Sequence, residues 1–186
     1  MFDRGFKSRC ERLAIDKRTE MGLRPYDPLS PFELAALMGI KVWYPNDVPG
    51  MDEITLNTLL RNDGQTTGCW SAVTVVAGKS ILIILNSSHS KGRQSSDLMH
   101  EISHRVLDHA TQEADISPGG IMLLKDYDKK QENEADWLSG CLLLPREALT
   151  RIQNLAESDA AIMYGVSLTM LRYRMNITGV RRQFRK

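Results

Sequence analysis

The chain has 186 residues, of which 42% are hydrophobic and 25% charged, and its formal net charge is +1. These values fit one folded domain with a real core, and argue against disorder over most of the chain or a bulk electrostatic pull toward nucleic acid or membrane. The cysteines, Cys10, Cys69 and Cys141, are odd in number and form no CxxC pair, which argues against a disulfide framework and a cysteine-held zinc knuckle and favours a reducing compartment.

The stretch from Met1 to Glu20 is charged throughout and has no apolar h-region, and no apolar run reaches the ~18 residues of a membrane span, so a soluble, cytoplasmic protein is expected. A helix is predicted over about residues 4–21, closed by Gly22. Ser30-Pro31-Phe32-Glu33 is a capping box, and a short helix should run from it to about Met38. Residues 40–44 alternate and are rich in strand formers, residues 45–52 read as loop, and residues 54–60 are ambiguous. Two β-rich runs, 70–76 and 81–85, flank Gly78 and predict a hairpin whose second strand is apolar on both faces. A helix should begin near Ser96 or Asp97 and end near Ala110, with Pro118-Gly119-Gly120 in the loop beyond. A further helix over residues 131–143 is broken by Pro145 and followed by helices over 146–156, 158–164 and 167–176. The pattern is α+β.

Residues that carry chemistry begin with His100-Glu101-Ile102-Ser103-His104. A helix turns about 100° per residue, so His100 and His104 share a face and can hold one zinc ion with a position left open. Glu101, one residue round, stands beside that position, where it can take a proton from a water whose pKa the metal has lowered to about 7. A third ligand is required, and Glu132, Glu134 and Asp136 lie on the next acidic helix. Choosing Glu132 leaves Asp136, on the same face, to accept the spare N–H of a ligand histidine. Glu134, two positions on, stays open as the alternative.

His109, five residues past His104, falls about 140° off the metal face and is expected to be structural. His89 is expected to be solvated in its polar loop. Tyr127 could donate to an oxyanion, though nothing in the sequence places it. The run from Ile81 to Asn86 reads equally as a core strand or as an edge that pairs with substrate backbone, with Ile83, Leu85 and Asn86 as the contact residues. Ala161, Gly165 and Ser167 match the turn of a helix-turn-helix, and Arg172 and Arg174 on its second helix are candidates for weak contact with DNA phosphates; a packed helix pair is the plainer reading.

Taken together, His100-Glu101-Ile102-Ser103-His104, the Glu132-Asn133-Glu134-Ala135-Asp136-Trp137-Leu138-Ser139 helix and Leu142-Leu143-Leu144-Pro145 resemble the ImmA/IrrE metallopeptidase family over roughly residues 5–180. Ser103 replaces a commoner glycine or alanine of that pattern and Trp137 a common phenylalanine. The resemblance implies a zincin-like catalytic domain over residues 1–156, with a small antiparallel or mixed sheet packed on helices. Residues 157–186 would then be a helix-turn-helix-like appendage with a basic tail. It also implies one Zn(2+) per chain, held by His100, His104 and Glu132, and endopeptidase action on a helix-turn-helix transcriptional repressor in mobile-element immunity or stress control. The rival from another class is a DNA-binding or repressor-sequestering regulator that keeps zinc for structure.

Overall fold

The computed structural model describes residues 2–60, 70–109, 114–116, 122–124 and 128–180. Helices α1 (Phe6–Glu20) and α2 (Pro31–Leu37) lead to strand β1 (Ile40–Trp43). Ser30 caps α2 by accepting the Glu33 N–H, with Pro31 at the first helical position. The ambiguous segment folds as helix α3 (Glu53–Leu59), because the Asp52 carboxylate accepts the Thr55 N–H at 2.9 Å. No residue of α3 is buried, which is why apolar periodicity could not identify it.

Strands β2 (Ala72–Ala77) and β3 (Ser80–Leu85) form the expected hairpin, with Gly78 at φ 59 supplying the left-handed residue its two-residue turn needs. The sheet runs β1-β3-β2, with β1 parallel and β2 antiparallel to β3. It is therefore mixed, and β3 is its central strand. Ile83 lies between Val42 of β1 and Thr74 of β2. Ile83 and Leu85 point into the core and are fully buried.

Helix α4 (Lys91–Val106) starts a turn and a half earlier than periodicity predicts. Its buried face continues backward from Ile102 and Leu98 to Gln94, a polar residue that an apolar stripe does not reveal. Gln94 is satisfied by the His89 carbonyl at 2.6 Å and the Tyr44 hydroxyl at 3.2 Å. Strands β4 (Ala114–Ile116) and β5 (Met122–Leu124) form a small antiparallel pair. Helices α5 (Lys129–Leu143), α6 (Arg146–Ile152), α7 (Glu157–Met163) and α8 (Leu168–Thr178) complete the chain. α6 is shorter than expected; Leu155 N–H closes a turn on the Ile152 carbonyl instead.

One apolar cluster joins α1, β3, α4, α5 and α6 to Ala160, Ala161, Tyr164, Leu171 and Met175 of the last two helices and their turn. Two buried arginines secure the end of α5, whose last carbonyls lose their helical partners at Pro145. Arg18 donates to Leu142 O at 2.8 Å and to Asp27 O at 2.8 Å. Arg174 donates to Leu144 O at 2.9 Å and to the Glu11 carboxylate at 2.7 Å. This removes Arg174 as a candidate for contact with DNA phosphates: its side chain has no exposed surface. Arg172 is held by Glu157 at 2.6 Å. The basic tail from Arg181 lies outside the described residues. No helix among the described residues is long and apolar enough to cross a membrane.

Candidate metal centre

Helices α4 and α5 pack side by side and bring the sequence-distant groups together. Leu98, Met99 and Ile102 of α4 meet the core with Leu138, Cys141 and Leu142 of α5, which turns His100 and His104 toward the first turns of α5. The Asp128 carboxylate caps α5 through Lys130 N–H at 2.7 Å, so Glu132 lies in its first turn.

His100 Nε2 lies 3.0 Å from His104 Nε2 and 3.2 Å from Glu132 Oε2; His104 Nε2 lies 3.5 Å from Glu132 Oε1. Among the described residues these three form the group able to hold a metal ion. Tetrahedral zinc with bonds of about 2.0–2.1 Å separates its donors by about 3.3 Å, and the three observed spacings bracket that value. Two imidazole nitrogens and a carboxylate oxygen are also a donor set that suits zinc. The residues present therefore fit the ion.

His100 Nδ1 meets Asp136 Oδ1 at 2.9 Å, which leaves Nε2 as its inward nitrogen. Burial lowers the His100 pKa, but the Asp136 hydrogen bond and the charges of Asp136, Glu101 and Glu132 outweigh it, and the net direction is upward. His104 goes the other way, down to about 4, through burial and then the neighbouring His100 and His109.

Glu101 points into a cleft of about 270 Å³ lined by Ser71, Ala72, Asp97 and His100 as well as by itself. The Thr74 hydroxyl of β2 donates to one of its carboxylate oxygens. Burial raises the Glu101 pKa; the Thr74 bond and His100 pull only partly against it. The carboxylate is thus a stronger base than an exposed one while remaining fixed in direction.

Glu134 does not enter the cluster. Its Oε2 lies 3.4 Å from His109 Nε2, and His109 Nδ1 lies 3.0 Å from His104 Nδ1. Sequence reasoning missed Thr74, and it read His109 as structural without the contact with His104. Thr74 belongs to a strand with no spacing relation to the motif, whereas His109 could be found only by locating the end of α4. His89, expected in solvent, is buried, with Nδ1 2.9 Å from Asp97. Trp137 packs edge-on against Phe2 with Lys7 Nζ 4.0 Å above its ring, which accommodates the larger aromatic. Tyr127 lies outside the described residues.

The substrate-strand expectation for Ile83, Leu85 and Asn86 needs correction. Ile83 is paired on both sides and Leu85 is buried. Asn86 is 2% exposed and brackets a turn, donating to Trp70 O at 3.1 Å and accepting from Ser88 N–H at 2.9 Å. Among the described residues the strand with one free edge beside Glu101 is β2.

Comparison with curated proteins and with solved structures gives no significant match. The family description that matches is the IrrE N-terminal-like domain of the M78 peptidases, over residues 72–176. That span, more than half of the chain, contains the β2–β3 hairpin, the H-E-x-x-H helix and the acidic helix that faces it, and the chain belongs to this metallopeptidase family.

Proposed function

We propose that the chain is a zinc-dependent endopeptidase of the cytoplasm that cuts a helix-turn-helix transcriptional repressor at an exposed segment. The observation that carries this reading is the convergence of His100, His104 and Glu132 beside a half-buried, Thr74-held Glu101. His100, His104 and Glu132 would hold the ion, and Asp136 would orient the His100 ring. When bound, the ion supplies Lewis acidity to the attacking water and to the scissile carbonyl. Glu101 takes the proton of that water and returns it to the leaving amine, aided by its raised pKa. The substrate backbone would add to the free edge of β2, so that the bond to be cut lies over Glu101. The family resemblance supports the choice of repressor.

The test is to mix the zinc-loaded chain with the helix-turn-helix repressor encoded beside it. Two fragments should accumulate and a chelator should stop the reaction. Glu101→Gln should slow cleavage by about 10²–10⁴-fold, the usual worth of a general base, while zinc content stays near one per chain. If repressor activity is relieved equally well by Glu101→Gln, sequestration is the mechanism and the peptidase reading fails.

A further inference from the structure

We infer that His109 is the positioning residue that fixes the ring and the proton of His104. The inference rests on the metal-ligand reading given above for His104.

The end of α4 creates this contact. Asp108 takes φ 54, a left-handed conformation that aspartate tolerates better than most residues. Its N–H returns to Arg105 O at 3.3 Å, and the His109 N–H returns to His104 O at 2.9 Å. These two bonds are the paired 5→2 and 6→1 closures of a Schellman cap. The cap reverses the chain, and His109 folds back over the last turn of the helix. Its ring centroid then lies 5.0 Å from that of His104, with the planes at 72°.

The proton pattern follows from the nitrogens. A ligand imidazole offers the lone pair of one nitrogen and carries its proton on the other. His104 directs Nε2 toward His100 and Glu132, so its proton belongs on Nδ1. That N–H faces His109 Nδ1 at 3.0 Å, which must therefore accept. The His109 proton is then on Nε2, a buried nitrogen that has no hydrogen-bond partner and lies 3.4 Å from Glu134 Oε2. The donor direction in this pair therefore runs from His104 to His109, while Glu134 stands beside His109 as a nearby charge without hydrogen-bond geometry. The side chains of His109 and Glu134 are 7% and 12% exposed, which keeps water from substituting freely for either.

The two ligand histidines are consequently oriented by different chemistry. His100 donates directly to a carboxylate, Asp136, whose side chain is 69% exposed. His104 donates to an imidazole in a sheltered position, with the carboxylate one residue further away. Glu132 and Glu134, two positions apart on α5, are thereby separated: one faces the metal cluster and the other lies 3.4 Å from the residue that meets His104.

Zinc affinity measured by competition with a chromophoric chelator separates this role from packing. His109→Phe keeps a ring but removes the acceptor, and it should weaken zinc binding about 10–100-fold, as loss of a ligand's orienting partner does. His109→Gln restores a carbonyl acceptor and should recover most of the loss. NMR of the imidazole nitrogens in the zinc-loaded wild type should find the proton of His104 on Nδ1 and that of His109 on Nε2. The inference is overturned if His109→Phe binds zinc as tightly as wild type, or if His109 carries its proton on Nδ1. If His109→Phe does not fold, the wild-type NMR pattern alone decides. A wild type that takes up no zinc brings down the metal reading and this inference together. A wild type that binds zinc beside an undiminished His109→Phe variant removes only this one.

Discussion

His100 and His104 stand one helical turn apart and meet opposite electrostatics. Asp136, Glu101 and Glu132 overcome burial at His100 and favour its charged form, whereas burial and two neighbouring imidazoles push His104 down to about 4. Zinc must displace any proton on a ligand nitrogen, so the sign of each shift determines how binding responds to acid. A raised pKa means that the His100 proton is still present above the ordinary histidine range and competes there. A lowered pKa means that His104 competes only near pH 4. Zinc affinity should therefore fall about tenfold per pH unit as pH drops below the His100 value, with close to one histidine proton released per ion. Calorimetry in buffers of different ionisation enthalpy counts that proton, and a release of two would show that His104 also titrates in this range. Thr74 gives a second prediction. Thr74→Val preserves shape and removes the donor to Glu101, a bond to a charged group worth about 1.5–3 kcal/mol. kcat/KM should fall about tenfold or somewhat more, with a stability loss no larger than the worth of the bond, and an unaltered rate would show that Thr74 does not hold the base. The histidine pair was legible in the sequence because both members sit on one continuous helix. His109 was not, since its position depends on the left-handed residue that reverses the chain at Asp108.

Elements show the same division between what is local and what is not. The cap of α2 at Ser30, the turn at Gly78 and the break at Pro145 are decided by neighbours in sequence, and each was readable there. The order β1-β3-β2 is decided by which strands find each other. An apolar run such as Ile81 to Leu85 reads the same whether it is central or at an edge, so only the fold shows that the free edge beside Glu101 belongs to β2. The start of α4 was hidden by Gln94, whose hydrogen bonds allow a polar side chain to occupy the buried face. Arg174 was ambiguous in the sequence, because an arginine on a short basic helix reads either as a phosphate contact or as part of a packed pair. Here its guanidinium closes the end of α5 against Leu144 O and Glu11, and its Cδ lies 2.9 Å from where a Cβ on Gly140 would be. Arg174→Met should cost about 3–5 kcal/mol, because Glu11 loses its buried partner and the Leu144 carbonyl loses its donor. Urea unfolding measures this directly; a loss below about 1 kcal/mol would place the arginine among ordinary surface residues.

At the scale of the whole molecule, the α+β class was legible from the succession of runs, but the independence of the last helices was not. An expected boundary at residue 156 treats α7 and α8 as an appendage. Ala160, Leu171 and Met175 nevertheless belong to the cluster that contains Met99 and Leu142, from the two helices of the metal centre. A side chain at Gly92, in the first turn of α4, would stand 3.0 Å from the Ser167 backbone nitrogen, so the turn between α7 and α8 lies directly against the helix that carries His100. Gly165, at φ 62, makes that turn possible. Removing residues 157–186 would expose the faces of α5 and α6 that these side chains cover, and would leave Glu11 and the Leu144 carbonyl without Arg174. The truncated chain should therefore lose its cooperative thermal transition and its zinc affinity together. Arg172→Ala, which removes an exposed ion pair with Glu157, should change stability by less than about 1 kcal/mol. The pair of measurements discriminates between two organisations of the molecule. If residues 1–156 melt cooperatively and bind zinc as the full chain does, the catalytic part is a domain in its own right and the closing helices are free to serve another purpose. If both properties vanish, those helices are a wall of the core on which the metal centre is built.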